Sequence, residues 1–295
     1  MPPKQISLKD AVADNIRDGD TVFVGGFGQC VPFAIAHEIA RQHKKSLTLC
    51  RTGADILFDL LIGAGCVGKV SFGYVGNPGI GLAHAFRRAV EKREIAVEDW
   101  TNFAMVLRLH AGALGVPFLP TATLFPGDLA DQVDVRRVVC PFTGEELSAV
   151  PALNPDVAII HAHCADEDGN VQFFGLPGDT LEGANASRRV ICTVEEIVSR
   201  DVVRSRPDRT ILPGFRVNAV SLVPWGAHPS YVDGVYDRDD EFYQAWDNIS
   251  RTPESLSAWL EKEVFGSAGF EDYVERLGSD RLKALKDKGS RLHER

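Results

Sequence analysis

Short apolar runs rich in β-branched residues alternate with longer segments in which apolar residues recur about every 3.6 positions, and this alternation continues to about residue 225. The short runs predict strands at 21–25, 47–50, 69–74, 137–140, 157–162, 189–193 and 218–223. The longer segments predict helices at 33–43, 56–63, 81–93, 102–114 and 183–187. Such alternation is typical of a parallel sheet covered on both faces. The pattern therefore predicts an α/β fold, with an open, mostly parallel sheet flanked by helices in a three-layer α/β/α arrangement.

The last part of the chain differs from the rest, because no strand is predicted after residue 240. Two amphipathic helices are predicted there instead, at 253–265 and 270–288. We therefore expect an α/β domain over 1–240 and a C-terminal helical extension over 241–295 that packs on the same domain. Two long irregular stretches, 121–134 and 166–180, are rich in Gly, Pro and Asp. Loops of this length in a compact domain are often functional.

Composition excludes several classes of function. The chain has 295 residues and a formal net charge of −9, which argues against nucleic-acid binding because that needs basic surface. No apolar run approaches the ~18 residues of a membrane span, and the first residues have no apolar signal core. The six cysteines contain no Cys-x-x-Cys pair, so we expect reduced packing residues. A soluble, cytoplasmic protein that binds neither membrane nor nucleic acid is expected.

The strongest local signal is a glycine elbow after the first strand, formed by Gly25, Gly26, Phe27 and Gly28. Glycine permits positive φ and close approach of a ligand to the main chain. We expect free N–H groups here to face an anionic oxygen, either a carboxylate or a developing oxyanion. A dinucleotide site is the weaker interpretation, because Val31 replaces the third glycine of G-x-G-x-x-G. An inert packed turn is the other alternative.

A second glycine-bearing elbow follows the third predicted strand and contains Gly76 and Asn77. The helix after it carries Arg87 and Arg88. Ligands of open parallel sheets collect outside the carboxyl ends of the strands, so the two elbows could line one crevice. A plain turn is an equally good interpretation of this segment. The chain contains no G-x-S-x-G, which argues against an ordinary serine hydrolase.

Two groups of polar residues are candidates for chemistry. Glu98 and Asp99 precede a predicted helix, where a carboxylate could be a base or nucleophile, or could simply cap the helix. Glu98 is retained as the candidate catalytic residue of this chain. His161, His163 and Cys164 suggest a zinc site, but no second cluster with ligand spacing exists in the sequence. A polar turn at a strand end explains them as well, so no metal is expected.

Ordered matches along almost the whole chain resemble the class I coenzyme A transferases, and specifically the α (A) subunit of glutaconate CoA-transferase. They are Asp18-Gly19-Asp20, Gly25-Gly26-Phe27, Leu61-Ile62-Gly63, Phe86-Arg87-Arg88, Val97-Glu98-Asp99-Trp100, His110-Ala111, residues 113–120, residues 156–162, Glu195-Glu196-Ile197 and residues 226–230. The resemblance implies an open α/β sheet fold and a similar β subunit as partner, in a heterodimer or an α2β2 heterotetramer.

The resemblance also implies a reaction and a set of site residues. CoA moves between an acyl-CoA and a small mono- or dicarboxylic acid such as glutaconate, and the CoA thioester is a substrate, so no permanently bound cofactor is expected. The nucleophilic glutamate belongs to a Glu-Asn-Gly type motif of the β subunit, and this chain contains no Glu-Asn dipeptide. The substrate-binding residues implied are Gly25, Gly26, Phe27, Gly28, Gln29, Tyr74, Gly76 and Asn77. Backbone donors with few fixed charges are expected around the substrate.

One departure from the family pattern keeps other activities open. Cys30 and Val31 stand where a further glycine is common, so the first elbow could be tighter. Similar proteins decarboxylate 3-methylglutaconyl-CoA or hydrolyse a ring-opened steroid CoA ester, and a catalytic Glu98 would favour the ring hydrolase. A scaffold subunit without residues in the chemistry is the remaining alternative.

Overall fold

A computed structural model describes residues 4–125 and 127–291. Residues 1–3 of the predicted domain, residue 126 of the predicted loop and residues 292–295 of the predicted extension lie outside the described residues. The strands are β1 Thr21–Val24, β2 Leu47–Ala54, β3 Val67–Val75, β4 Ala96–Asp99, β5 Phe118–Thr121, β6 Arg136–Val139, β7 Glu146–Pro151, β8 Val157–Asp166, β9 Val171–Gln172, β10 Arg189–Val198, β11 Thr210–Leu212 and β12 Ala219–Leu222. The α-helices are α1 Leu8–Asn15, α2 Phe33–Arg41, α3 Ile56–Gly63, α4 His84–Glu91, α5 Asn102–Leu114, α6 Thr180–Ala186, α7 Arg200–Ser205, α8 Asp240–Ile249, α9 Pro253–Leu260, α10 Phe270–Leu277 and α11 Ser279–Arg291.

The main sheet is parallel along the order β12-β10-β8-β1-β2-β3-β4. The short strand β9 joins β8 and β11 in antiparallel pairs at one end. The register aligns Phe23 of β1 with Cys50 of β2 and with Ala158 of β8. The prediction of an open, mostly parallel α/β sheet is confirmed. Because β1, β2 and β3 are neighbours with the same direction, the loops after them meet at one edge.

Alternate side chains of the central strands enter two separate hydrophobic cores. Val22 and Val24 pack with α1, α2 and α3, whereas Phe23 packs on the opposite face with α5 and α6. All three side chains are fully buried. A strand buried on both faces has a continuous apolar sequence, which is why the run at 21–25 predicts β1 well.

Two strand predictions need correction. The segment 137–140 is not part of the main sheet, because β6 pairs with β7 in a separate antiparallel sheet of order β5-β7-β6. The edge strand is instead β4, which carries Glu98 and Asp99, a segment that the sequence places before a helix and not in a strand. All four β4 residues are exposed or half-buried, so this strand has no hydrophobic alternation for the sequence to reveal.

The C-terminal helices pack on the core of the main sheet. Trp246 of α8 and Leu256 and Leu260 of α9 are buried in the core that contains β1 and β2. A π-helical turn, Glu261–Phe265, follows α9. The predicted helix at 270–288 is wrong as a single element, because Gly278, with φ of 85°, ends α10 and separates it from α11. Among the described residues, no helix is long and apolar enough to cross a membrane.

A polar cluster around the buried Asp239, which we call the Asp239 cluster, ties α8, α10 and α11 to the loop after β12. It consists of His228, Asp239, Tyr273 and Arg281, and the Tyr273 hydroxyl lies 2.9 Å from His228 Nδ1. Asp239 accepts from Arg281 Nε and Nη2 at 2.7 and 2.8 Å, and its Oδ2 lies 2.8 Å from His228 Nε2. The backbone N–H of Phe242 donates to Oδ1. Burial alone would raise the pKa of Asp239, but these hydrogen bonds hold it well below its usual value.

Candidate functional site

A cavity of about 310 Å³ lies at the carboxyl ends of β1, β2 and β3. It is lined by Phe27, Gly28, Arg51, Gly53, Asp55, Tyr74, Pro78, Asn102, Leu176, Tyr231, Arg238 and Tyr243. The two predicted glycine elbows therefore contribute to one crevice, as the position of their strands indicated. The cavity is also lined by the end of β2, by Tyr231 and Arg238 of the segment between β12 and α8, and by Tyr243 of α8, none of which the sequence indicated.

The first elbow has the expected backbone conformation, but its amides are used within the protein. Gly26 and Gly28 have φ values of 83° and 75°, and a Cβ at Gly26 would lie 2.5 Å from the carbonyl oxygen of Gln29. The N–H groups of Gly25, Gly26 and Phe27 donate to Ile159 O, Thr180 Oγ1 and Gln29 O. The expectation of free donors is therefore wrong for these three residues.

The residues of the first elbow have different surroundings. Phe27 is 43% exposed at the mouth of the cavity, and Gly28 lines the cavity wall. Gly25 does not line the cavity and faces the core instead, where a Cβ would lie 2.8 Å from Ile160 Cγ2. Gln29 is fully buried, and its Nε2 donates to the carbonyls of Phe174 and Leu176. Gln29 thus holds the segment that carries Leu176 against the elbow, and in this structure it positions that segment and does not line the cavity.

The second elbow contributes Tyr74 and Pro78 to the cavity. A Cβ at Gly76 would lie too close to the Tyr74 hydroxyl, so a larger residue there would shift the Tyr74 side chain in the cavity wall. Asn77 is buried, and its Nδ2 donates to the carbonyl of Tyr243 at 2.7 Å. Asn77 therefore joins the elbow to α8, and among the predicted residues of this elbow Tyr74 is the one that lines the cavity.

Arg51 of β2 is a cavity residue that the sequence reasoning missed. It is 1% exposed, and its Nη2 donates to the carbonyl of Gly26 in the first elbow. Its Nε and Nη1 are buried and have no hydrogen-bond partner among the described residues. The signal available in the sequence was a charged residue directly after the apolar run Leu47–Cys50, which is unusual for a buried parallel strand.

Asp55, Tyr243 and Arg238 add further polar groups to the cavity wall. Asp55 caps α3 by accepting from Leu57 N, and the Tyr243 hydroxyl donates to it at 3.4 Å. Burial raises the pKa of Asp55, and the positive charge of Arg51 opposes that shift. The Arg238 guanidinium lies 4.0 Å above the Tyr243 ring and donates to Pro78 O. The expectation of few fixed charges is wrong, because two guanidiniums line this site.

Glu98 lies on the edge strand β4 and is not one of the residues that line the cavity. It accepts from Lys69 Nζ at 2.5 Å and lies 3.3 Å from Arg108 Nη1. Partial burial would raise its pKa, but the hydrogen bond from Lys69 and the charge of Arg108 lower it below the usual value. The helix α5 is capped by Thr101, so Glu98 does not cap it. Its catalytic role stays a prediction.

The histidines of β8 make hydrogen bonds within the protein. His161 Nδ1 lies 2.9 Å from Thr193 Oγ1, and its Nε2 lies 2.8 Å from Glu195 Oε1. His163 Nε2 donates to the carbonyl of Asp233 at 3.0 Å. Within residues 4–125 and 127–291 no group of three or more His, Cys, Asp or Glu could hold a metal ion.

A second depression of about 280 Å³ adjoins the cavity and shares Phe27 and Asn102 with it. Phe103 and Val106 of α5 line it and are 53% and 37% exposed. Leu176, which lines the first cavity together with Phe27, is 53% exposed. We call these four apolar residues, Phe27, Phe103, Val106 and Leu176, the apolar rim of the cavity. Exposed apolar surface of this kind is typical of an interaction site.

Comparison with known proteins identifies the family of this chain. The coenzyme A transferase family model matches residues 5–222. The A subunit of 3-oxoadipate CoA-transferase from Pseudomonas knackmussii is 42% identical over 276 residues, which are 92% of this chain and 97% of that protein. The A subunit of glutaconate CoA-transferase from Acidaminococcus fermentans is 35% identical over 302 residues, which are 96% of this chain and 94% of that protein.

Two solved structures are similar over most of the chain. The crystal structure of glutaconate CoA-transferase from Acidaminococcus fermentans matches with a TM-score of 0.93 at 35% identity, over 96% of this chain and 95% of that one. The decarboxylase AibA/AibB matches with a TM-score of 0.78 at 33% identity, over 87% of this chain and 98% of that one. The resemblance to the α subunit of glutaconate CoA-transferase and the prediction of a transferase subunit are confirmed. This chain belongs to the coenzyme A transferase family.

Proposed function

We propose that this chain is the α subunit of a heteromeric enzyme that moves CoA between an acyl-CoA and a small dicarboxylic acid. The observation that carries the proposal is the cationic cavity where the loops after β1, β2 and β3 meet, in a chain of this family. Its volume of about 310 Å³ is at the small end of the ~300–1,000 Å³ typical of ligand sites. That size favours a short acyl group over a steroid.

A partner subunit is needed because the cavity lacks a suitable nucleophile. Among the described residues that line it, Asp55 carries the only carboxylate, and Leu57 N and Tyr243 already bind that carboxylate. We therefore assign the nucleophilic carboxylate to a β subunit, as the resemblance implied. The apolar rim at the mouth supports this assignment, because it provides a surface on which a second subunit could close the site.

The proposed mechanism is covalent. The carboxylate of the β subunit attacks the acyl-CoA carbonyl, so that a mixed anhydride forms and CoA leaves as a thiolate. The thiolate then attacks the enzyme-derived carbonyl of the anhydride, which releases the acid and leaves a thioester between the β subunit and CoA. A second acid takes up CoA by the reverse steps. Water would hydrolyse each intermediate, so the cavity must be covered during turnover.

Glutaconate and 3-oxoadipate are the first acids to test, since relatives of this chain are named for them. Decarboxylation of a CoA ester is the second candidate, which the similarity to the decarboxylase AibA/AibB supports. We further propose a cytoplasmic location, which the six free cysteines support because disulfides are rare in that compartment.

The test is to express the chain together with the β subunit of its own organism. We expect transfer of CoA from glutaconyl-CoA or 3-oxoadipyl-CoA to acetate, and a β subunit that carries CoA after incubation with acyl-CoA alone. Release of CO₂ without transfer would instead establish the decarboxylase. A complex that assembles but is inactive with both CoA esters would contradict the proposal. The mass of the complex in solution would distinguish a heterodimer from an α2β2 heterotetramer.

A further inference from the structure

We propose that the inner end of the cavity is a carboxylate subsite, in which Arg51 binds the second carboxylate of the acyl group. The inference rests on the proposed function and deepens it, because it identifies the residue that selects dicarboxylic substrates. It depends on three observations, namely the unused hydrogen-bonding capacity of Arg51, the charge of the cavity and the depth at which Arg51 lies.

The Arg51 guanidinium is buried with much of its donor capacity unused. Nη2 donates to Gly26 O, whereas Nε and Nη1 have no partner among the described residues. Arg51 forms no ion pair among those residues. Its positive charge nevertheless opposes the rise in the pKa of Asp55. A buried charge without an ion-pair partner is costly, so such a residue is typical of a site that receives an anion.

Arg108 provides an internal comparison. It is a second arginine buried beside the sheet, at 8% exposure. Its Nη1 lies 3.3 Å from Glu98 Oε2 and donates to Ser71 Oγ, while its guanidinium lies 4.4 Å above the Trp100 ring. The Arg108 Nε also has no hydrogen-bond partner among the described residues, so what separates it from Arg51 is that this chain supplies Arg108 with a carboxylate. Arg51 lacks one, and the fork of a guanidinium matches a carboxylate in shape and charge.

The charge of the cavity also favours an anion. Arg51 and Arg238 line it, and the one carboxylate among its described lining residues is that of Asp55, whose negative form burial disfavours; Arg238 is also paired with Asp240 at 3.4 Å, so Arg51 is the cation of the lining without an ion pair. The whole chain carries a net charge of −9, so this cationic cavity contrasts with an otherwise acidic protein. A local positive potential attracts and orients an anionic ligand.

The depth of Arg51 determines which end of the acyl group it meets. Phe27 and Tyr74 at the mouth are each 43% exposed, whereas Arg51 is 1% exposed. The thioester must face the mouth, because the nucleophile of the proposed mechanism comes from another subunit. The far end of a short acyl chain then lies at Arg51, and a carboxylate there would complete its hydrogen bonds.

The experiment compares two CoA donors with acetate as the acceptor. Both have five-carbon acyl groups, but glutaryl-CoA ends in a carboxylate and valeryl-CoA ends in a methyl group. The variants are Arg51→Gln, Arg51→Lys and the control Arg87→Gln, whose side chain is 53% exposed on α4. We expect the wild-type complex to prefer glutaryl-CoA. Arg51→Gln should lower kcat/KM for glutaryl-CoA about 100-fold and leave valeryl-CoA within a few-fold, since a charge-assisted contact is lost. Arg51→Lys should give a kcat/KM for glutaryl-CoA between those of the wild type and Arg51→Gln. Arg87→Gln should match the wild type with both esters.

An equal fall with both esters would overturn the inference, because Arg51 would then only support the elbow or bind the reacting carbonyl. A wild-type complex without preference for glutaryl-CoA would also overturn it. Calorimetric titration of the complex with glutarate and valerate separates this inference from the proposed function. If no CoA transfer occurs but the wild-type complex binds glutarate more tightly than Arg51→Gln does, the proposed function fails and the subsite stands. If transfer occurs and glutarate binds equally to wild type and Arg51→Gln, the subsite fails alone.

Discussion

Two buried charged groups of this protein have opposite surroundings. In the Asp239 cluster, His228, Arg281 and the N–H of Phe242 all bind the carboxylate, so both of its oxygens are satisfied. In the cavity, Arg51 makes one hydrogen bond and leaves Nε and Nη1 without a partner among the described residues. Both side chains are at most 3% exposed. Burial therefore does not distinguish these two charged groups, whereas the presence of an ion-pair partner does.

The largest effect should come from the Asp239 cluster. Asp239→Ala removes the carboxylate and its hydrogen bonds to His228, Arg281 and the N–H of Phe242, so we expect a loss of about 2–4 kcal/mol in the free energy of unfolding. Urea unfolding of the complex measures it. The control is Asp240→Asn, whose carboxylate forms half-exposed ion pairs and should change stability by less than about 1 kcal/mol. Equal effects of the two variants would mean that the Asp239 cluster does not stabilise the fold.

The same region should make stability depend on pH. His37 is enclosed by the rings of Trp259, Phe270 and Tyr273, and burial lowers its pKa to about 3, helped by the charges of His228 and Arg41. The unfolded chain takes up a proton below about pH 6.5, and the folded chain does not. Stability should therefore fall as pH drops from about 6.5, by up to about 1.4 kcal/mol per pH unit from this group.

His37→Leu should remove that contribution. Unfolding free energies at pH 7, 6 and 5 would then have a smaller slope than those of the wild type, by the equivalent of about one proton. His163 and His228, whose pKa values burial also lowers, remain in the variant and keep part of the slope. An unchanged slope would mean that His37 is not neutralised by its aromatic surroundings.

Substitution of Arg51, in contrast to that of Asp239, should affect activity and leave stability nearly unchanged. Arg51→Met removes an incompletely paired buried charge and one hydrogen bond to Gly26, and these changes have opposite signs. We expect the free energy of unfolding to stay within about 1 kcal/mol of the wild type, while transfer from glutaryl-CoA is largely lost. Differential scanning calorimetry and the transfer assay on one preparation measure both. A loss of several kcal/mol would make Arg51 a structural residue.

The smallest effect on turnover should come from Glu98. Glu98 pairs with Lys69 and with the buried Arg108, so Glu98→Gln, which keeps an oxygen acceptor but loses the charge, should cost about 1–2 kcal/mol in the free energy of unfolding. With the nucleophile in the β subunit, turnover of the assembled complex should stay within about fivefold of the wild type, which is a change of about 1 kcal/mol in the activation free energy. Complete loss of turnover with assembly intact would instead support a ring hydrolase in which Glu98 is catalytic.

The sequence predicted best where one local pattern determines the structure. The helices α3 and α5 have the predicted bounds, because Asp55 and Thr101 cap them and their apolar periodicity is clear. β4 was missed, since an edge strand with exposed residues has no such pattern. The helix break at Gly278 was also missed, although a glycine at a helix end is a usual signal.

The candidate site was predicted only in part, because its details depend on distant partners. Phe27, Gly28 and Tyr74 line the cavity, as the elbows indicated. Gln29, however, binds a carbonyl that lies 145 residues away in the chain, and Asn77 binds one in α8. Nothing local in the sequence distinguishes such supports from ligand-binding residues. Arg51 was overlooked for the related reason that its missing partners become visible only when the surrounding elements are in place.

A crystal structure of this chain in complex with its β subunit and bound glutarate would show directly whether Arg51 receives a carboxylate. We predict one carboxylate of glutarate at the Arg51 guanidinium, with N···O distances of about 2.7–2.9 Å, and the other carboxylate toward the mouth between Phe27 and Tyr74. A side chain of the β subunit that fills the place beside Arg51, with glutarate elsewhere, would contradict the assignment.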